Sequence, residues 1–60
     1  MGWNTLAGDV EKIAGYRTRA QELRAVAERM NCAEARELLL DISEDYLRLA
    51  RALEKRLLKT

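Results

Sequence analysis

Four carboxylates, Glu37, Asp41, Glu44 and Asp45, recur at helical spacing in the second half of the chain. Acids at i and i+4 on one helix face are the residue type and distance that hold a hard cation. Di-metal sites in helical bundles complete such a set with His from Glu-x-x-His pairs, and this sequence has no His. The acids therefore read as a solvated face, and no metal is assigned. Cys32, the one cysteine, stands where a second helix should begin, which is one setting of reactive thiols. With no His and no second Cys to work with it, it reads as a small residue beside a turn. Tyr16 and Tyr46 read as packing aromatics rather than catalytic phenols. There is no Gly-rich phosphate loop and no nucleophile matched with a base. The sequence thus assigns no catalytic, cofactor-binding or metal residue, and the protein is expected not to be an enzyme and to need no cofactor.

Six bases, Arg17, Arg24, Arg48, Arg51, Lys55 and Lys59, fall where an assembled bundle would gather them into a stripe. A Rop-type antiparallel bundle binds RNA on its outer helical faces, so a small nucleic-acid-binding regulator of Rop-like architecture is the alternative reading, by analogy of architecture alone. Acids interleave with these bases and no Lys or Arg run occurs, so a solvated face is preferred. The formal charge of +1 supplies no general attraction to nucleic acid or to an anionic membrane.

The elements that carry these residues are two helices. From residue 33 to 59 the chain runs without Gly or Pro, and Ala35, Leu39, Ile42, Tyr46, Leu49, Leu53 and Leu57 repeat at helical spacing. Residues 9–30 form the other helix, with a helical extension back toward Asn4 left open because Gly2 and Gly8 weaken it while Asn4, Thr5 and Asp9 are all N-cap types. Steps of about 100° place Tyr16, Ala20, Leu23, Val26, Ala27 and Met30 on one face of this helix. Trp3, Leu6, Val10 and Ile13 fall on a neighbouring stripe, with Gly15 near the change.

Asn31, followed by Glu34, outlines a capping box for the second helix. So short a connection makes the helices antiparallel neighbours, an αα-hairpin. Met30 should then meet Ala33 or Ala35, Val26 should meet Leu38, Tyr16 should lie near Tyr46, and Leu6 should reach toward Leu57. The second helix is acidic early and basic late, which complements its own dipole and sets Arg24 and Arg29 beside acids.

A hairpin by itself would leave a second stripe wet: Leu40, Leu47 and Leu58, aligned with Trp3, Leu6 and Val10. These six are the predicted oligomer interface. Trp3 stands either as an interface anchor, since Trp is enriched at binding hot spots, or as a frayed terminal residue. Two helices side by side bury one stripe each, which is thin for a chain of 60 residues. The expected partner is a second copy, giving a homodimeric four-helix bundle; another protein is the next candidate and nucleic acid the last.

Composition agrees with that picture. With 35% charged and 48% apolar residues the chain reads as one all-α domain over residues 1–60. Its start lacks a basic n-region and an apolar h-region, and its longest apolar run is Leu38-Leu39-Leu40, so neither a signal peptide nor a membrane span is expected. A lone Cys fits a cytoplasmic setting.

The run Tyr16-Arg17, Ala20, Glu22-Leu23-Arg24, Ala27-Glu28, then Glu34-Ala35-Arg36, Leu39-Leu40, Ile42, Tyr46 and Arg48-Leu49-Ala50 resembles a group of short uncharacterised alphaproteobacterial proteins built as helical hairpins. The resemblance spans residues 13–54 and implies the hairpin fold; it implies no activity. Those proteins usually carry Asp-Pro at the turn, where this chain has Cys32-Ala33. The reading that follows is a non-enzymatic helical interaction or scaffold module that self-associates.

Overall fold

In the computed structural model the chain forms two helices, α1 over Gly2–Arg29 and α2 over Ala33–Lys59. The structure describes residues 2–59, with side chains over residues 8–59. The span of α2 is the expected one, and α1 runs through the ambiguous start back to Gly2. Once a helix is nucleated each further residue adds a backbone bond, so Gly8 weakens α1 without ending it.

The turn is built by three hydrogen bonds. Met30 N donates to Ala27 O at 3.0 Å and tightens the last turn of α1, while Arg36 N donates to Cys32 O at 3.0 Å and makes Cys32 the N-cap of α2. From the first turn of α2, the Arg36 guanidinium donates through Nη2 to Met30 O at 2.7 Å. That side chain satisfies a carbonyl that α1 leaves free. A left-handed glycine does the same work in many helix ends, and no described residue here has positive φ. The expected capping box is corrected: with Cys32 at the cap, Asn31 falls one residue outside α2 and Glu34 at its second position. Glu34 still lies in the first turn, where the helix dipole favours an acid.

The helices pack antiparallel. The Ser43 hydroxyl on α2 donates to the Ala20 carbonyl on α1 at 2.8 Å, and the Tyr16 and Tyr46 rings lie 6.0 Å apart at 36°. Ser43 and the aliphatic Ile13, Ala20, Ala27 and Ala50 are buried, with Ala27 at 0% exposure and Ser43 at 2%. Tyr16, Leu23 and Met30 from α1 and Leu39, Tyr46, Leu53 and Leu57 from α2 lie half-buried beside them.

Three expectations for this seam are corrected. Ile13 belongs to the seam, not to the neighbouring stripe. The positions 13, 16, 20, 23, 27 and 30 alternate steps of three and four, averaging 3.5. A fixed 100° step drifts from such a row by about 20° per heptad, which is what makes Ile13 look displaced on a straight wheel. Val26 and Leu49, expected in the seam, are 43% and 47% exposed. Their places at the centre are taken by Ala27 and by Ala50 and Ser43, because small side chains are what let two backbones approach closely. Leu38, expected to meet Val26, is exposed.

Candidate interaction surface

Each helix edge beside the seam carries its own residue set. On one flank α1 places Val10, Arg17 and Arg24, seven residues apart, and α2 places Leu40, Leu47 and Glu54 at the same spacing. Arg17 and Glu54 form the ion pair that crosses between the helices among the described residues. Both side chains are well exposed, so the pair contributes at most about 1 kcal/mol and chiefly holds the register. Arg17 is thus the base paired with an acid across the helices, while Arg24 lies beside Glu44 of α2, as expected.

This bridge divides the flank into two recesses, an apolar one and a mixed one. Toward the open end, Val10, Ile13, Ala14, Leu57 and Leu58 surround a groove of about 350 Å³ whose wall is closed by Arg17 and Glu54. Toward the turn, Arg24, Leu40, Ser43, Glu44 and Leu47 line a recess of about 220 Å³. Val10 and Leu58 are 55% and 86% exposed and Leu40 is exposed, while Leu47 is half-buried. The structure therefore brings four of the six predicted interface residues, Val10, Leu40, Leu47 and Leu58, onto one long flank. Trp3 and Leu6 lie outside the described side chains. The opposite flank carries Val26, Ile42 and Leu49; Leu47 and Leu49, two residues apart, point about 160° from each other around α2.

The polar candidates are dispersed. Glu37, Asp41, Glu44 and Asp45 are all exposed on the outer side of α2, and Asp45 pairs with Arg48 at 3.8 Å. Among the described residues no group of three or more His, Cys, Asp or Glu converges on a point. Of the six bases, Arg17 is tied to Glu54, Arg48 to Asp45, and Arg24 and Arg51 each share a recess with Glu44. The surface they form alternates in sign. Cys32 is an exposed free thiol at the turn, remote from the tyrosines that meet at the seam. The Ser43 hydroxyl is spent on the Ala20 carbonyl.

Two features have no place in the sequence pattern: the burial of Ser43 and the partner of Arg17. Ser43 carries one clue, the seven-residue interval to Ala50 that mirrors Ala20 and Ala27. Arg17 had no such clue, since its partner is 37 positions away in the chain.

What fold and surface define is an elongated antiparallel two-helix module without a catalytic constellation among the described residues. No protein-family model, no curated protein and no solved structure matches the chain. No helix is long and apolar enough to cross a membrane among the described residues.

Proposed function

We propose that the protein is a non-enzymatic interaction module whose hairpin self-associates through an apolar flank. The observation that carries this reading is the excess of exposed surface. A compact chain of 6.9 kDa exposes about 4,000 Å², and the hairpin exposes 5066 Å². Its radius of gyration, 14.1 Å, likewise exceeds the roughly 10 Å of a compact domain of this length. The excess, about 1,000 Å², is of the size that one protomer contributes to a stable interface. Among the described side chains the buried aliphatic residues are three alanines and one isoleucine, and the leucines around them keep part of their surface in water, so a second apolar layer has somewhere to bind.

Sedimentation at several concentrations tests this. Wild type is expected to run as a dimer or larger assembly, and Leu40→Glu/Leu47→Glu as a poorly folded monomer, because two carboxylates cannot be desolvated in an apolar contact. Wild type that stays monomeric and fully helical at high micromolar concentration would defeat the proposal.

A further inference from the structure

We infer that the occupant of the Val10–Leu47 flank is a second copy of this chain, stacked antiparallel so that the two turns lie at opposite ends of the assembly. This rests on the self-association reading above and adds to it the face and the direction. The first ground is charge. Beside Leu47 on α2, Glu44 lies on the turn side and Arg51 on the other. A two-fold axis passing near Leu47, perpendicular to the hairpin, sets Glu44 of each copy beside Arg51 of the other. Stacking with both turns at one end would instead lay acids on acids and bases on bases, and it would align the helix dipoles of the two α2 helices.

The second ground is shape. The two recesses of the flank lie on either side of the Arg17–Glu54 bridge. Antiparallel stacking about Leu47 sets Leu40 of one copy at the level of Glu54 of the other, where the bridge borders the Val10 and Leu58 groove of about 350 Å³. Leu47 meets Leu47 of the partner subunit at the axis. Parallel stacking lays groove on groove and leaves both unfilled.

The test is cross-linking with a short bis-maleimide, read beside sedimentation. In a Cys32→Ser background, Leu47→Cys thiols are expected to give covalent dimer as the major product, whereas Leu49→Cys thiols on the other flank give little. Wild type, with Cys32 at each turn, should give none, because antiparallel stacking holds the turns near opposite ends of an assembly at least 47 Å long. Circular dichroism checks that each variant keeps its helices. Dimer by sedimentation with efficient Cys32 cross-linking overturns the antiparallel direction and leaves self-association standing. Dimer by sedimentation with Leu49→Cys linking in preference to Leu47→Cys overturns the face. A monomer by sedimentation overturns the function proposed above, and this inference with it.

Discussion

Ser43 and Ala27 show how little side chain the seam tolerates. Ala27 is wholly buried, and the register set by the Ser43–Ala20 bond puts it opposite the first turn of α2. A larger group there must push the helices apart or leave its rotamer well. Ser43 is small enough for the same close contact, and its hydroxyl shares a carbonyl of the other helix, so its burial leaves no donor unpaired. Ala27→Leu is therefore expected to lower stability by about 1–3 kcal/mol, read from the urea midpoint. Leu49→Ala, at a position 47% exposed, should cost less than about 1 kcal/mol. The reverse order of the two would place the seam on the wrong side of α2.

At the scale of the element, the start of α2 is weaker than it need be. Cys32 occupies the N-cap and Ala33 the first helical position, yet a thiol is not among the side chains that cap well. An Asp-Pro pair at these two places would supply what the turn lacks. Asp accepts from the free N–H groups of the first turn, while Pro has no N–H to waste at the first position and holds its φ near the helical value. Cys32→Asp/Ala33→Pro is expected to stabilise by about 1–2 kcal/mol, seen as a higher thermal midpoint. The Arg36–Met30 bond lies on the other side of the turn and should persist in that variant. A lower midpoint would show that α2 begins elsewhere.

For the whole molecule, length and thinness set the behaviour. The hairpin measures 47 × 15 × 11 Å between Cα extremes, one helix layer deep, so each leucine that faces the seam has solvent behind it. In the self-associated form proposed above, folding couples to association, and mass action then requires the thermal midpoint to rise with protein concentration. Wild type is expected to show this shift across a hundredfold dilution series followed by circular dichroism, and Leu40→Glu/Leu47→Glu to lose it. A midpoint independent of concentration in wild type would mean that the hairpin is stable alone.

The hairpin itself was legible in the residues. A stretch of 27 residues without Gly or Pro over α2, a break at Asn31 and apolar residues three and four apart are local signals, and helix formation answers to local signals. The short connection made the antiparallel direction unavoidable, and the Tyr16–Tyr46 contact followed from it. Which apolar row became the seam was decided only by the tertiary structure. Ala20, Ala27, Ser43 and Ala50 carry little hydrophobic weight in a sequence, while Val26 and Leu49 carry much, so the pattern drew attention to the larger residues. Two helices approach closest where the side chains between them are smallest, and that preference belongs to the pair, because neither helix alone shows which of its rows the other can come near. The same holds for Arg17 and Glu54, which share a flank only because the alanines and Ser43 set the register of the two helices.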